Sequence, residues 1–426
     1  TPAWADDAAG LSLEDLLYAE IDKVSAASRM EQLISEAPAA VTVLTHHDIR
    51  RHGWRTLAEL LRSAPGLSVS YNSLYTTASI RGQTSALDMG SFMLVLIDGQ
   101  RLASNTSDAA LLGDDMPLDL DWIDRVEIIT GASSAVYGSN AVLAVVNIIT
   151  QRETDLADVE TSLDIGADAQ RSVRLAGSKR LDGGGHLALS ASRNTGDGYL
   201  DNDRNESTRW FARMARGDFT FTAMHIEREK AYPHLTPPAL SEGHTNNQYS
   251  SATLNWRKRF SDDSQADVSL QYGDSAMLIG FGNPTRAYRK LRLDGSWLSV
   301  DASLTRRYGQ HTLLFGFDYL DAPDTQRYGI DFTPTLVIDE RLHELGYARH
   351  ALFVQDIWNP MPGLGVHVAL RHENDERYRG SLDVPRLGLV YRWTPRTTLK
   401  LTYGESFRAH PAYEVFSLPN VVRQLI

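Results

Sequence analysis

The side chains with the most scope for catalytic chemistry do not have the spacing of a known catalytic motif. His343 and Glu344 begin like a His-Glu-x-x-His zinc motif, but the next histidine is His350, which is out of register for a helical zinc pair. The chain has neither a G-x-S-x-G nucleophile motif nor a phosphate-binding G-x-x-x-x-G-K-[ST] loop. Cysteine is absent, which excludes thiolate metal sites, cysteine nucleophiles and disulfides. We therefore predict that the protein is not an enzyme.

The charge balance argues against nucleic acid as a partner. The 426 residues include 42 Lys and Arg against 54 Asp and Glu, a net charge of −12 at pH 7. A nucleic-acid-binding protein usually carries a net positive charge or a basic block, and this sequence has neither. We predict no nucleic-acid partner.

The hydropathy excludes a bundle of membrane-spanning helices. Mean hydropathy is −0.30, and no apolar run approaches the roughly 18 residues that a spanning helix needs. The longest apolar runs are residues 92–97 and 141–146. A membrane β-barrel is compatible with these values, because barrel strands alternate apolar and polar residues and their average hydropathy resembles that of a soluble protein.

The first half of the chain has the pattern of a compact α/β domain. One helix is predicted between Thr45 and Gly53, and a second after Thr56, because these residues are typical helix caps. Asp98-Gly99 is the signal of a tight hairpin turn. The predicted strands are residues 39–44, 93–97, 126–129 and 145–149.

After residue 150 the pattern changes to a period of two. Leu387, Leu389 and Tyr391, for example, alternate with residues of the opposite face, and we count about fourteen such segments. Both a soluble sandwich and a transmembrane barrel show this alternation. Segment lengths of about ten residues favour the barrel, since sandwich strands are usually about 5–6 residues long.

The motifs in the first half carry a more specific signal. Ser79-Ile80-Arg81-Gly82, Val95-Leu96-Ile97-Asp98-Gly99 and Ser134-Ala135-Val136-Tyr137-Gly138 stand in order among four further motifs at residues 37–45, 48–67, 123–128 and 146–150. Together they resemble the plug domain of TonB-dependent outer-membrane receptors. Residues 386–391 and 403–409 resemble a strand pair of the same family's barrel. The chain departs from the family's usual plug pattern at residues 130–132 and 143–144.

The resemblance implies a transmembrane antiparallel β-barrel of about 22 strands whose lumen is filled by an N-terminal α/β plug. It implies domains at residues 1–27, 28–150 and 151–426, with the first a periplasmic segment that contacts TonB. It also implies a monomeric barrel in the Gram-negative outer membrane, in contact with lipid and energised through TonB and its inner-membrane complex.

The expected activity is active uptake of a scarce, bulky nutrient, with a ferric siderophore favoured. Cobalamin, haem and other metal chelates remain open, and from a different class so does a passive porin or an adhesin-like barrel. No permanent cofactor is expected, because the iron chelate would be the transported ligand.

The N-terminal segment holds the predicted TonB contact. Ala3-Trp4-Ala5 has the small-x-small form of a signal-peptidase site, and a short helix is predicted at residues 11–18. TonB is expected to bind such a segment by adding it as a strand to the edge of its own sheet, so the backbone of the segment matters more than its sequence. The predicted TonB-contacting residues are Ile21, Asp22, Lys23, Val24 and Ser25.

The resemblance also implies a ligand site on plug loops and outer barrel loops. The candidate ligand-binding residues lie in two plug loops and are Tyr71, Asn72, Tyr75, Thr76, Asn105 and Thr106. Arg81 and Glu127 are expected to pair with charges on the barrel's inner wall, with a solvated surface pair as the alternative.

The outer loops are predicted in three polar stretches, residues 196–208, 231–248 and 321–349. His234, His244 and His343 lie in them and could ligate the iron of a bound haem, although solvated loop histidines are the interpretation we favour.

The number of strand segments is smaller than the family's barrel requires. About fourteen segments follow residue 150, where the resemblance implies about 22. The chain stops at Gln424-Leu425-Ile426, without the terminal aromatic strand that such barrels usually have. Because an open sheet edge is not viable in lipid, we expect the sequence to be a fragment that lacks about eight strands.

Overall fold

A computed structural model describes residues 23–71, 75–83, 90–198, 203–232, 242–283, 287–333, 336–378, 380–394, 397–412 and 414. The predicted signal-peptide remnant, the predicted helix at residues 11–18, Ile21, Asp22, Asn72 and His234 lie outside the described residues. In the part of the chain that the structure describes, no helix is both long and apolar enough to cross a membrane.

Among the described residues, three α-helices lie in the N-terminal part: α1 (His46–His52), α2 (Leu57–Arg62) and α3 (Ser134–Tyr137). Helix α1 begins at a capping box, because Thr45 accepts a hydrogen bond from the Asp48 backbone and the Asp48 side chain accepts one from the Thr45 backbone. It ends at Gly53, whose φ of 65° places it in the left-handed region. Thr56 caps α2 by accepting a hydrogen bond from the Glu59 backbone N–H, while the Glu59 carboxylate accepts one from the Arg55 backbone N–H. Both predicted helix starts are confirmed.

Nine short strands occupy the same part of the chain. They are β1 (Lys23–Val24), β2 (Gln32–Leu33), β3 (Ala40–Thr45), β4 (Leu67–Tyr71), β5 (Thr76–Ile80), β6 (Met93–Ile97), β7 (Gln100–Arg101), β8 (Ile123–Thr130) and β9 (Ala144–Thr150). Strands β1 and β2 form an N-terminal hairpin (residues 23–33), and β4 pairs with β5. The other five form one sheet in the order β3-β8-β9-β6-β7, in which only the β6–β9 pair is parallel.

The five-stranded sheet is the core of an N-terminal domain (residues 34–150). All five residues of β6 are buried, which explains why this strand is continuously apolar. Asp98 and Gly99, with φ of 50° and 83°, make the predicted turn between β6 and β7. The Asp98 carboxylate accepts hydrogen bonds from the Thr150 backbone at 2.9 Å and hydroxyl at 2.7 Å, which ties this turn to the end of β9.

Thirteen strands follow in the described residues and form a single antiparallel sheet, each paired with its sequence neighbours. They are β10 (Glu160–Ile165), β11 (Arg171–Leu181), β12 (Gly185–Gly196), β13 (Asn205–Arg216), β14 (Phe219–Tyr232), β15 (Glu242–Ser261), β16 (Ser264–Asn283), β17 (Ala287–Tyr308), β18 (His311–Thr333), β19 (Leu336–Met361), β20 (Leu364–Asp375), β21 (Ser381–Thr394) and β22 (Thr397–Gly404). Two short 3₁₀ helices, Leu120–Trp122 and Glu153–Asp155, precede the sheet. At one end of the strands, which we call the short-turn end, consecutive strands are joined by two or three residues. At the other end, which we call the long-connection end, the links include longer ones such as residues 197–204 and 233–241.

The two faces of this sheet have opposite character. Large apolar side chains such as Leu254, Leu270 and Leu298 are exposed on the outer face. Polar side chains on the inner face are buried against the N-terminal domain, where the Trp122 indole donates a hydrogen bond to Ser190 at 2.8 Å. Apolar residues outside and polar residues inside are the pattern of a membrane barrel and the reverse of a soluble sandwich.

The N-terminal domain lies inside the curve of the sheet. It contacts strands across the whole width of the sheet, from Ser190 in β12 through Ser275 in β16 to Lys400 in β22, which donates to the Ile34 carbonyl. The predicted α/β domain followed by an antiparallel sheet is therefore confirmed.

The polar stretches predicted as outer loops are largely strand. Residues 321–349 form the paired upper parts of β18 and β19, and residues 242–248 belong to β15. The prediction was wrong here because it used polarity alone, whereas an antiparallel pair that projects beyond the apolar band can be polar on both faces and still satisfy its backbone hydrogen bonds.

Candidate functional site

The residues predicted to be functional lie in two groups at opposite ends of the N-terminal domain. Tyr71 donates a hydrogen bond to Asp203, at the long-connection end of the sheet. Ser25 and its neighbours lie toward the short-turn end, where Glu36 approaches Arg392 near the end of β21. The domain thus separates a candidate ligand site from a candidate partner site.

A cavity lies between the N-terminal domain and strands β14, β15 and β16 toward the long-connection end. Its empty space, including the opening to solvent, is about 600 Å³. We call it the outer cavity; its lining is Tyr75, Thr76, Ser104, Thr106, Ser107, Ala109, Ala110, Leu111, Asp115, Ile226, Arg228, Asn247, Gln248, Tyr249, Ser275, Ala276 and Met277. Three predicted ligand-binding residues, Tyr75, Thr76 and Thr106, therefore line one cavity.

The other candidates in this group have structural contacts. The Asn105 amide donates hydrogen bonds to the Ser296 carbonyl at 3.0 Å and to the Thr325 hydroxyl at 3.2 Å, so this side chain joins the domain to the barrel wall. Tyr71 does not line the cavity, because its hydroxyl donates to the Asp203 carboxylate at 2.7 Å.

The polar groups of the cavity are mostly neutral, and apolar side chains such as Leu111, Ile226 and Met277 line the rest of it. Burial raises the pKa of the Asp115 carboxyl, an effect that Arg228 and the Gly113 backbone N–H partly oppose. Burial also raises the pKa of Tyr75, so its phenol stays protonated. Hydroxyl and amide side chains, one guanidinium and an aromatic ring can bind a ligand rich in carbonyl and hydroxyl oxygens.

A protein-built metal site is not found among the residues that the structure describes. His244 lies in β15 opposite Ala231 and Gly280. The side chain of His343 is outside the described part of the chain, as His234 is. Haem ligation by these histidines therefore gains no support from the structure.

The second group is the N-terminal hairpin, in which the described part of the predicted TonB-contacting segment is held against the domain. The Ser25 and Ala26 backbone N–H groups donate to one Glu127 carboxylate oxygen at 3.0 and 2.9 Å. Val24 is fully buried, whereas the Lys23 side chain is 60% exposed and pairs with Glu31 at 3.6 Å. The segment therefore already forms one strand of a hairpin, but its Val24 side chain is not accessible to a partner.

Glu127 and Arg81 differ from their expected roles. The fully buried Glu127 pairs with Arg125 of its own domain at 2.9 Å rather than with the barrel wall. Arg81 is exposed, has a φ of 52° and, among the described residues, makes no ion pair. Residue type and motif position predicted a charge pair with the wall. In the structure, the Glu127 carboxylate instead accepts hydrogen bonds from the backbone N–H groups of Ser25 and Ala26.

Charge pairs between the domain and the wall do exist, at other residues. Arg29, at the tip of the N-terminal hairpin, pairs with Asp301 of β17 at 2.6 Å and with Asp318 of β18 at 3.4 Å. Its guanidinium also lies over the rings of Tyr137 and Phe353, with 5.0 and 4.7 Å to their centroids. Arg29 therefore fastens the hairpin to the wall.

Further pairs fasten the domain nearer its two ends. Asp108 pairs with Arg377 at 2.9 Å, and Arg377 also pairs with Asp375. The Asp108–Arg377 pair holds the loop that carries Thr106 against the wall. Asp98 pairs with Arg213 of β13 at 3.0 Å. Sequence reasoning missed these pairs, because isolated charges in alternating strands carry no signal of their distant partners.

Two family profiles match the chain. The profile described as TonB-dependent Receptor Plug Domain matches residues 34–145, and that described as TonB dependent receptor-like, beta-barrel, matches residues 180–423. The second profile alone covers more than half of the chain. The plug profile therefore matches the N-terminal domain, and the barrel profile matches the antiparallel sheet that follows it.

Curated relatives match at low identity. The iron-regulated outer membrane virulence protein of Vibrio cholerae is 23% identical over 427 residues, which cover 94% of this chain and 62% of that protein. The vitamin B12 transporter BtuB of Vibrio vulnificus is 29% identical over 409 residues, which cover 92% and 63%. The chain thus spans less than two thirds of the length of these relatives.

Solved structures agree on the fold. The pyoverdine outer membrane receptor FpvA from Pseudomonas aeruginosa PAO1, bound to pyoverdine, has a TM-score of 0.74 at 14% identity, covering 91% of this chain and 65% of that one. At this identity the likeness concerns the fold alone. Together with the profiles, it confirms the predicted fold of an antiparallel membrane barrel around an α/β plug.

Proposed function

The chain belongs to the TonB-dependent receptors, which are β-barrel proteins of the outer membrane, and from this we propose that it binds a bulky metal chelate at the outer cavity and imports it with energy delivered through TonB. The N-terminal domain is then the plug, and the long-connection end faces outward. The observation that carries the proposal is the outer cavity itself, in which Tyr75, Thr76 and Thr106 of the plug meet the wall of β14 to β16.

The ligand we favour is a ferric siderophore. The cavity supports a ligand rich in oxygen atoms, because its lining combines hydroxyls, amides and the Arg228 guanidinium with an aromatic ring. Iron would arrive within the chelate as cargo, so no resident cofactor is part of the proposal, and an enzymatic step is not either.

Cobalamin is the second candidate. It is favoured by the similarity to several proteins described as vitamin B12 transporter BtuB. Cobalamin is also a bulky metal chelate with amide groups, which the same lining could bind.

TonB would bind the segment that includes Lys23, Val24 and Ser25 by adding it as a strand to its own sheet. Support comes from the hairpin, where Lys23–Val24 already has the extended backbone that strand addition requires. The contacts of Val24 and Ser25 imply that this segment must first leave Glu127.

A growth assay tests the ligand. Cells that depend on the gene for uptake are starved of iron and offered a panel of purified ferric siderophores, and in parallel are starved of cobalamin. Rescue by at least one chelate, lost in a Tyr75→Ala, Thr106→Ala double variant that still reaches the membrane, is the expected result. Failure of every iron source and of cobalamin to rescue growth would overturn the proposal.

A further inference from the structure

A second cavity continues the outer cavity toward the short-turn end along the same three strands. It lies between the β6–β7 turn of the plug and strands β14, β15 and β16; its empty space, including the opening to solvent, is about 330 Å³, and at rest it is narrow. We call it the inner cavity. On β15, Asn255, Thr253 and Ser251 face it in succession, and Tyr249 lines both cavities.

The barrel side of the inner cavity is uncharged and mostly polar, whereas its plug side carries Asp98 and Arg101. Thr222, Thr253 and Gln271 are buried on the barrel side, with side chains that offer hydroxyl and amide groups. The hydroxyls of Ser251 and Tyr249 are buried next to each other on the same face of β15. Hydroxyl and amide groups of this kind can exchange hydrogen bonds with a passing polar ligand.

The plug is fastened elsewhere. Ion pairs join the hairpin and plug to Arg213 in β13, Asp301 in β17 and Arg377 after β20. The plug contact with β16 is weaker in kind, a hydrogen bond between the hydroxyls of Ser104 and Ser275 at 2.9 Å. A neutral contact of this kind can open at lower cost than a buried ion pair.

The ring of Tyr249 lines both cavities, and the ring of Trp297 packs against it. Tyr249 is 3% exposed, and its ring meets that of Trp297 with centroids 5.7 Å apart and planes inclined by 44°. Trp297 is fixed in turn by Gly273, since a Cβ at residue 273 would lie 2.2 Å from the indole. The constriction is therefore built on the barrel wall and does not depend on the plug alone.

We propose that the ligand passes from the outer to the inner cavity along β14, β15 and β16, and that Tyr249, backed by Trp297, closes this route at rest. The proposal rests on the proposed transport function and adds its path. Opening requires plug residues 99–107 to withdraw from the wall, while Asp98 and Asp108 on either side of them stay ion-paired.

Tethering the plug to the wall tests the path in the complete gene product. The chain has no cysteine, so engineered pairs are free of competing thiols. Ser104→Cys with Ser275→Cys replaces two hydroxyls that are 2.9 Å apart, and Asp119→Cys with Ser192→Cys is a matched tether to β12, where the side chains are 3.0 Å apart. We expect the oxidised first pair to bind ligand but lose transport until reduced, and the second pair to transport. Normal transport by the first oxidised pair, or a block by both, would overturn the path.

A second measurement needs no transported ligand, so it separates failure of this proposal from failure of the function. Thr253→Cys places a thiol in the inner cavity, and a membrane-impermeant thiol reagent is added outside intact cells. Adding Tyr249→Ala should raise the labelling rate, whereas Tyr272→Ala, which removes an exposed tyrosine of the outer face, should not. An unchanged rate in the Tyr249 variant would show that this residue does not close the route.

Discussion

At the scale of single residues, Glu127 is the carboxylate that couples the plug to the N-terminal segment. It is fully buried, and one oxygen accepts two backbone N–H groups while the other pairs with Arg125. Hydrogen bonds to a charged acceptor are worth about 1.5–3 kcal/mol each. The same interactions occupy the backbone N–H groups of Ser25 and Ala26, which a sheet-adding partner would have to bind.

Glu127→Gln should therefore loosen the segment. Glutamine keeps one oxygen for the backbone N–H groups but turns an NH₂ group toward Arg125, so the charge-assisted bonds are lost. A spin label at Lys23→Cys, an exposed position, should become more mobile.

The matched control for this change is Glu36→Gln. Glu36 forms an exposed pair with Arg392 at 3.3 Å, and exposed pairs contribute about 0–1 kcal/mol. Equal label mobility in the Glu127 variant and the parent would contradict the coupling.

Asp115 should make plug stability depend on pH. Burial raises its pKa in the folded plug, so the folded state keeps a proton that the unfolded state releases above about pH 4. Stability should fall as pH rises from there through the raised pKa, and Asp115→Asn should remove that slope while keeping the bond from Gly113.

Limited proteolysis across a urea series, repeated at several pH values, measures this slope. Asp262→Asn, in the exposed β15–β16 turn, is the control and should change nothing. A steeper fall of stability with pH in the Asp115 variant would contradict the assignment.

At the scale of elements, the N-terminal hairpin is a unit fastened at its tip. Arg29→Met keeps an apolar stem of similar length but leaves the partly buried Asp301 without its ion pair, and breaking such a pair costs less than the roughly 3–5 kcal/mol of a fully buried one. The hairpin should then be cleaved faster by an added protease in outer-membrane vesicles, at bonds within residues 23–33.

Arg392→Met is the comparison, because it breaks only the exposed pair with Glu36 near the hairpin. Cleavage rates that match between the two variants would mean that the tip pair does not hold the hairpin.

The elements divide into those that local sequence predicts and those it does not. Helix α1 was predicted from its caps, since Thr45 and Gly53 act on residues three or four positions away. The long hairpin of β18 and β19 was not, because its polar upper part has no period-two signal. The Arg29–Asp301 pair joins residues 272 positions apart, so nothing in either segment indicates the other.

The same division holds for the candidate site. Tyr75, Thr76 and Thr106 could be proposed together because the plug motifs indicate which loops lie near each other, and these three residues line one cavity. Their partners on β14 to β16 could not, since the register of thirteen strands decides which inward side chains meet which loop.

At the scale of the whole molecule, the outer face of the sheet must match the lipid. Leu270 is 43% exposed and lies six residues from the start of β16, near the middle of the apolar band. Leu270→Arg should lower the unfolding free energy in lipid vesicles by about 2–4 kcal/mol, whereas Phe260→Arg at the short-turn end should cost about 0–1 kcal/mol.

Urea titration followed by the gel-mobility shift of the folded barrel measures both changes. Equal costs at the two positions would mean that Leu270 does not lie near the middle of the apolar band, because the penalty for a cation falls steeply toward the interface.

The central claim is that the molecule is an energised receptor and not a passive pore. Cells that carry the complete gene are given a radiolabelled ferric siderophore, or labelled cobalamin, that restores their growth. Accumulation and surface binding are compared with TonB present, with TonB deleted, and after collapse of the proton gradient. We predict that surface binding persists in all three and that accumulation requires both TonB and the gradient. Accumulation at an undiminished rate without either would contradict the account.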